Sequence, residues 1–480
     1  MKFSFINASP NDIILEKGRK NLLSATWPPL GILYLATTLQ ETGVEVSVLD
    51  QPAKGYTIKE TVNWVKKEDP DILGFTTFSS SGRTATLLCN EVRKIKPNIV
   101  NVLGGYYATF NADRVLRKYP SVDIIVRGEG ENTVVDLVDT LKKGDELKKV
   151  LGITFRERDA IVSTPDRPLI KDVDSIPFPD RSLLDVEYQS IIAGAKIAVK
   201  KFTSLIFSRG CVHRCKFCST QKFCKHMWRP RSIEKTVEEL HYLTSQGYEQ
   251  FIFVDDSFTL NQKRVIQLCK TMRREKLDVE WFCEGRVDSC SYEMFKEASK
   301  AGCKVIYFGV ESANQRILDY YNKKITPQQS INVVKTARKA GIDIIVGSFI
   351  LGAPDETREE ILNTLNFTKK LQIDFPRFNI LGADPGTDVW NELKMKGILN
   401  DDEYWETGIS VPKICPTSVP FQEIEQMVRQ ALRDYLKRPR FILTQVGRLL
   451  KSPYRMRILK NNLNRIGEIK EEFDAIKKLD

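Results

Sequence analysis

The 480-residue sequence predicts an α/β protein in three parts: an N-terminal doubly wound parallel sheet, a partial (β/α)6 barrel, and a helical, basic C-terminal extension. Three observations carry this. The chain is too long for one ordinary core, so two or three domains are expected. Strand-like and helix-like segments alternate in two separate runs, as in parallel sheets covered by helices. Between the runs lies the proline-rich turn Ile176-Pro177-Phe178-Pro179-Asp180, which reads as part of a connector.

The first run spans residues 1–142. Strands are expected at 2–6, 44–49, 72–76, 98–103 and 123–126, and helices at 31–43, 58–67 and 82–95, the first closed by a glycine. Such sheets bind ligands outside the carboxyl ends of their strands. Here those ends are polar or glycine-rich: residues 76–82, Gly104-Gly105 and 127–131. Residues 143–196 form the connector, with short strands. The second run covers residues 197–400. It has candidate strands at 203–208, 250–254, 279–283, 304–308, 344–350 and 377–381, with helical patterns at 232–245, 262–275, 291–301, 326–340 and 357–371. A barrel of this kind places its active site at the carboxyl ends of its strands. Residues 401–480 are helical and charged, interrupted by Pro439 and Pro453.

Bulk composition narrows the class. Hydrophobic residues make up 42% and charged residues 28%, enough for buried cores under an ordinary hydrated surface. The opening residues turn polar too early for a secretory signal, and no stretch approaches ~20 uninterrupted apolar residues. A cytoplasmic protein is expected. The net charge of +11 fits either an acidic partner or a diffuse basic surface. No zinc-finger, helix-turn-helix or RNA-recognition signature accompanies it, so no nucleic-acid partner is expected.

Of the ten cysteines, seven are scattered (Cys89, Cys224, Cys269, Cys283, Cys290, Cys303 and Cys415) and read as small buried apolar residues. Three are bunched in Ser208-Arg209-Gly210-Cys211-Val212-His213-Arg214-Cys215-Lys216-Phe217-Cys218, directly after the first barrel strand. Three thiolates on one tight loop can hold three irons of a cubane and leave the fourth open to a chelating small molecule. The competing reading is a zinc knuckle completed by Cys224, His213 or His226, although zinc motifs usually show paired spacing.

The Cys-x-x-x-Cys-x-aromatic-Cys loop, with Phe217 at the aromatic place, resembles that of the radical SAM superfamily on its TIM-type barrel. The later strand ends fit the same resemblance. It implies a [4Fe–4S] cluster on Cys211, Cys215 and Cys218, and contacts to S-adenosylmethionine (SAM) from Asp255 and Asp256, Glu284 and Arg286, Glu311 and Ser312, and Gly352. Each of these taken alone also fits a helix cap.

The first domain resembles the Rossmann-like cobalamin-binding domain of one large radical SAM class. The resemblance rests on Pro28-Pro29-Leu30-Gly31, the loop 76–81, Gly104-Gly105 and Arg127-Gly128-Glu129-Gly130-Glu131, and with the barrel covers roughly residues 1–400. It implies cobalamin contacts from Pro29, Leu30, Thr77, Ser79, Ser80, Gly104, Gly105, Gly128 and Glu129. The sequence departs from many cobalamin proteins in having no Asp-x-His-x-x-Gly loop. All three histidines, His213, His226 and His241, fall in the barrel half, so no histidine ligand to cobalt is expected. Tyr106-Tyr107 also stands where relatives commonly carry Pro-His.

The resemblance implies a C-methyltransferase. SAM cleaved at the reduced cluster yields a 5′-deoxyadenosyl radical, which takes hydrogen from an unactivated carbon. The substrate radical then accepts a methyl group from methylcobalamin. A ferredoxin or flavodoxin is the expected electron donor, and a lipid or a peptide or protein the expected substrate. A cyclase or rearrangement enzyme with the same cofactors is the alternative inside the class. A non-catalytic cobalamin or redox sensor is the alternative outside it. The stretch 438–465 mixes Arg and Lys with Phe441, Ile442, Leu443, Leu449, Leu450, Met456, Ile458 and Leu459. It reads either as an amphipathic segment for peripheral membrane or partner contact, or as helix packed on the barrel with a solvated basic side.

Overall fold

The computed structural model describes residues 1–10, 26–192, 194–399 and 417–463. Cys415, the start of the C-terminal region and residues 464–465 of the basic stretch lie outside them.

The first sheet has seven strands in the order β2-β1-β3-β4-β5-β6-β7. Strands β1 (Lys2–Asn7), β2 (Glu45–Asp50), β3 (Ile72–Thr76), β4 (Val100–Gly104) and β5 (Ile124–Val126) run parallel. Strands β6 (Ile153–Glu157) and β7 (Ala160–Ser163) add an antiparallel hairpin at the β5 edge. The stretch expected as connector therefore supplies two strands of this sheet. Phe3, Phe5, Leu33 and Leu137 pack on one face, and Ile6, Leu73, Leu88 and Leu103 on the other. Burial on both faces is what near-continuous apolar strands such as Ile72-Leu73-Gly74-Phe75 require.

A short hairpin, β8 (Ile191–Ile192) and β9 (Ala195–Lys196), leads into the second sheet. Six parallel strands follow in sequence order: β10 (Phe202–Leu205), β13 (Gln250–Phe253), β14 (Glu280–Arg286), β15 (Cys303–Glu311), β16 (Ile344–Leu351) and β17 (Phe375–Ile380). Between β10 and β13, β11 (Ser208–Arg209) pairs antiparallel with β12 (Arg229–Pro230) and brackets the cysteine loop. The helices between strands start where the sequence says they should. Ser232, Asn261, Ser291, Thr326, Thr357 and Thr387 each accept a hydrogen bond from the backbone N–H three residues on. Each such cap is worth about 1 kcal/mol. The capping boxes Thr326/Gln329 and Thr357/Glu360 also return a bond to the cap's own N–H.

Buried charge ties the parts together. Glu239, fully buried, receives Arg181 from the connector at 2.9 Å and Arg231 from the barrel. Glu129, after β5, receives both Nη atoms of Arg229 at 2.8 and 2.9 Å and Arg209 at 3.3 Å. Arg209 also pairs with Glu131 at 2.6 Å. As a result the carboxyl ends of the two sheets face each other.

The C-terminal helices are Phe421–Lys437, Pro439–Lys451 and Pro453–Leu463. Pro439 and Pro453 stand in the first turn of their helices, where the missing N–H costs nothing. Tyr454 enters the amino-terminal end of the barrel among Ile197, Phe202, Phe282 and Val305, its hydroxyl donating to Ile197 O at 3.0 Å. The scattered cysteines Cys89, Cys224, Cys269, Cys283 and Cys303 are buried, and Cys290 is half-buried.

Candidate active site

The carboxyl ends of the barrel strands surround a cavity of about 420 Å³. Cys211, Cys215 and Cys218 all line it, with Phe217 beside them. Gly210 makes the entry to the loop possible. At φ +87° it lies in the left-handed region, and a Cβ there would stand 2.1 Å from Met227 O and 2.9 Å from Cys224 Cβ. Only glycine allows that approach. Inside the loop, Cys218 N donates to Cys215 O at 3.0 Å, and Gln221 Nε2 donates to the same oxygen at 3.0 Å. Cys224 stays behind the loop, its sulfur accepting from Cys211 N at 3.3 Å.

Among the described residues, no three His, Cys, Asp or Glu side chains converge closely enough for a single metal ion. A zinc knuckle needs that convergence. A cubane does not, since each thiolate meets its own iron. Burial pushes the Cys211 and Cys218 thiols up, and binding iron would replace their protons outright. The donor set fits a cluster.

Register places the remaining residues. One row across the sheet reads Arg286–Gly309–Ser348–Arg377. Glu284 lies two residues before Arg286 on the same face of β14 and pairs with Tyr307. Arg286 is committed: it holds Asp288 through Nε at 3.0 Å and Nη2 at 2.9 Å, donates to Lys323 O at 2.7 Å, and turns Nη1 toward Cys215 Sγ at 3.7 Å. It therefore reaches the cluster loop rather than standing free for a SAM carboxylate. Glu311 takes Lys323 at 2.6 Å inside the cavity wall. Its φ of +64° is strained for a non-glycine residue, a cost met most often at functional sites. Glu284 and Arg377 make no hydrogen bond or ion pair with a described residue, and both open onto the cavity. Burial raises the Glu284 carboxyl, while Arg377 works the other way. Burial, with Arg286 adding to it, lowers His213 to about 4, so its imidazole is uncharged at pH 7.

The structure moves several expected contacts away from the cavity. Asp255 is buried behind β10. Its carboxylate accepts from Phe207 N at 3.0 Å and Ser208 Oγ at 2.6 Å, and burial raises it to about 7. Asp256 is the one that faces the cavity, held by Gly210 N at 2.9 Å. Ser312 is fully buried and bonded to Thr364 at 3.1 Å. Gly352 turns the chain at φ +87°, its N–H taken by Glu356 at 2.6 Å.

On the facing sheet, Leu30 packs into the core and Pro29 precedes its helix. Thr77 is fully buried, donating to Gly104 O at 2.7 Å. Glu129 is consumed by its arginines. Thr77 and Glu129 are taken up for one reason: a buried polar group takes the nearest protein partner. Ser79 and Ser80 stay at the strand ends, and Ser79 reaches Asp384 beyond β17. Gly104 leaves room beside it, with 3.6 Å from a Cβ to the nearest atom, and Gly128 has nothing within 4 Å. These bare backbone faces, with the half-exposed ring of Phe78, suit a broad flat ligand. Tyr106 stacks on Phe223 of the cysteine loop at 4.3 Å and joins the two halves.

Sequence reasoning missed Tyr307, Lys323, Arg377, Asn379 and Asp384 as cavity residues. Arg377 and Asn379 carried a signal: two polar residues at period two on a strand that is otherwise apolar.

Comparison with known proteins agrees with this geometry. Residues 205–368 match the Radical SAM superfamily and residues 21–138 the B12 binding domain. An uncharacterized methyltransferase of Pyrococcus horikoshii is 37% identical over 432 residues, 90% of this chain and 92% of that protein. The chain belongs to the cobalamin-dependent radical SAM enzymes. Its cofactors are a [4Fe–4S] cluster, SAM and cobalamin, and the chemistry of such an enzyme requires a reductant. The anaerobic magnesium-protoporphyrin IX monomethyl ester cyclase of Cereibacter sphaeroides is 29% identical over 451 residues, 91% of this chain and 72% of that one. In fold, the chain resembles the radical SAM methyltransferase TsrM of Kitasatospora setae, with a TM-score of 0.66 and 17% identity over 82% of this chain and 75% of that chain. Among the described residues, no helix is long and apolar enough to cross a membrane.

Proposed function

We propose that this enzyme transfers a methyl group to an unactivated carbon. One observation supports the reading above the others: the barrel's strand ends gather the three cysteines around one cavity, and the first sheet, with its bare glycine backbone, reaches that cavity's rim through Ser79 and Asp384. When bound, the cluster with SAM supplies a hydrogen-abstracting radical, and cobalamin supplies a methyl group.

The chain's own residues then do the following. Cys211, Cys215 and Cys218 hold the cluster, with Arg286 beside the Cys215 sulfur. Asp256, Glu311 and Lys323 line the side where SAM meets it. Gly104, Gly105, Gly128, Ser79 and Ser80 offer backbone and hydroxyl groups to cobalamin, with no histidine from this half of the chain. Glu284, Tyr307 and Arg377 line the remainder of the cavity and orient the substrate. The surrounding walls exclude water from a reactive centre. A lipid or a peptide is the substrate class, and a ferredoxin or flavodoxin the electron donor. The identity to the cyclase supports a second reading, ring closure without methyl transfer.

The test is anaerobic reconstitution with iron, sulfide and cobalamin, then dithionite and SAM, with chromatography of the products. 5′-Deoxyadenosine together with S-adenosylhomocysteine is the expected result. Deoxyadenosine alone favours ring closure. Full activity in Cys215→Ala refutes the assignment of the cluster.

A further inference from the structure

The C-terminal helices fasten to the barrel along one side. Tyr435 of the first is buried, its hydroxyl donating to Ile373 O at 2.8 Å. Tyr454 of the third fills the barrel end. Between them, Pro439–Lys451 buries no residue. It is attached inward by half-buried Phe441, packed on the barrel core and on Tyr435, and by charge: Arg448 reaches Asp374 at 2.9 Å, and Arg455 of the next helix reaches the same carboxylate at 2.7 Å.

The outward side of this middle helix is apolar. Ile442, Leu443, Val446 and Leu450 are exposed, Leu443 to 72% and Leu450 to 76%. Their spacing puts them on one helical face. A surface helix ordinarily turns its apolar face to the core and leaves the rest polar, whereas this helix carries four large apolar side chains on its outward side. Met456, Leu459 and Leu463 are also exposed on the helix that follows.

Charge supplies a second, independent observation. No Asp or Glu occurs between Asp434 and Glu468. Within that stretch Lys437, Arg440, Lys451 and Lys460 are exposed, and none forms an ion pair with a described residue. An apolar stripe rimmed by unpaired cations complements a surface with an apolar interior and an anionic face. A second copy of this chain would bring cations against cations.

We infer that the helix Pro439–Lys451 lies on a bilayer containing anionic phospholipid. The stripe from Ile442 to Leu450 enters the acyl boundary, and Lys437, Arg440, Lys451 and Lys460 sit among the headgroups. Arg448 of this helix, with Arg455 and Arg457 of the next, anchors the pair of helices to Asp374, the Asp343 carbonyl and Glu280, at the amino-terminal ends of β17, β16 and β14. The docking face is therefore at the end of the barrel away from the cavity. It holds the enzyme at the membrane and leaves the mouth free.

The experiment is co-sedimentation of the full chain with vesicles of phosphatidylcholine alone, and of phosphatidylcholine mixed with phosphatidylglycerol. Binding to the mixed vesicles, weakening with added salt, is expected. Leu443→Glu with Leu450→Glu should lower partitioning about 100-fold or more, since two leucines lose their apolar burial. Arg440→Gln with Lys451→Gln should lower it about fivefold per charge. Both double variants should keep the parent melting temperature and deoxyadenosine formation, because none of the four side chains contacts the core or the cavity. Absence of binding to mixed vesicles overturns the inference. So does equal binding by the leucine variant, or a solution dimer which that variant converts to monomer.

Discussion

Replacing Glu129 by glutamine tests whether this residue serves cobalamin or the junction between the two sheets. The geometry favours the junction. The carboxylate accepts from Arg229 at 2.8 and 2.9 Å, from Arg209 at 3.3 Å and from Ile170 N at 2.9 Å. The side chain is 9% exposed and those of its arginines 10% and 15%. Breaking one partner of a buried pair costs about 3–5 kcal/mol. Residual exposure and the oxygen retained by glutamine bring this to about 2–3 kcal/mol. For a domain of this size that is a fall of roughly 4–12 °C in melting temperature. Burial alone would raise the Glu129 carboxyl, but Arg229 and Arg209 outweigh it and hold it below the usual range. Its contribution is thus present at neutral pH and lost as pH falls through that depressed value. Circular-dichroism melts of parent and variant at pH 7 and at pH 4 measure both effects. The variant should melt lower at pH 7, with the gap narrowing in acid, and should load cobalamin at the parent stoichiometry. An unchanged melt with lost cobalamin refutes the reasoning.

Cys224→Ser should retain cluster iron and deoxyadenosine formation within about threefold, because its sulfur bonds backbone groups that a hydroxyl can also meet, accepting from Cys211 N and donating to the Cys211 and Gln221 carbonyls; loss of iron by elemental analysis would restore a fourth-ligand role. Gly105→Ala places a Cβ 2.6 Å from Thr77 O in a backbone region nearly closed to other residues. It should destabilise by about 2–3 kcal/mol and lower cobalamin occupancy, read by denaturant titration and visible absorbance. Asp374→Asn leaves Arg338, Arg448 and Arg455 without their counter-charge, at about 3–5 kcal/mol. Limited trypsin digestion should then cut first in the C-terminal helices. In the parent, burial opposes the Asp374 charge, but the three arginines hold it down to about 2. That stabilisation is full above the ordinary carboxylate value and disappears as pH falls through 2.

The architecture was legible because each level repeated the same message. Apolar runs of strand length alternated with capped amphipathic helices, and the caps Ser232, Thr326 and Thr357 sit where the pattern changes period. The cysteine loop was legible because three thiols in eight residues have few other uses. Second-rank contacts were not. Asp255 and Asp256 are adjacent, yet one turns behind β10 and the other into the cavity, and a string of letters does not carry that rotation. Thr77 and Glu129 have the chemistry of ligands but found partners inside the protein first. Arg377 and Asn379 went unnoticed because their strand was read for its apolar residues. The tail was read as two alternatives. The structure contains part of each, with arginines on the barrel and leucines in the open.

Tyr454 has a consequence for traffic. With its ring wedged among Phe202, Phe282 and Val305, the barrel is a blind alley. Whatever reacts inside finds that end stopped and comes and goes on the carboxyl side of the strands, where the cavity lies. Reactants entering in sequence will then tend to leave in reverse sequence, and a spent molecule near the threshold holds back everything behind it.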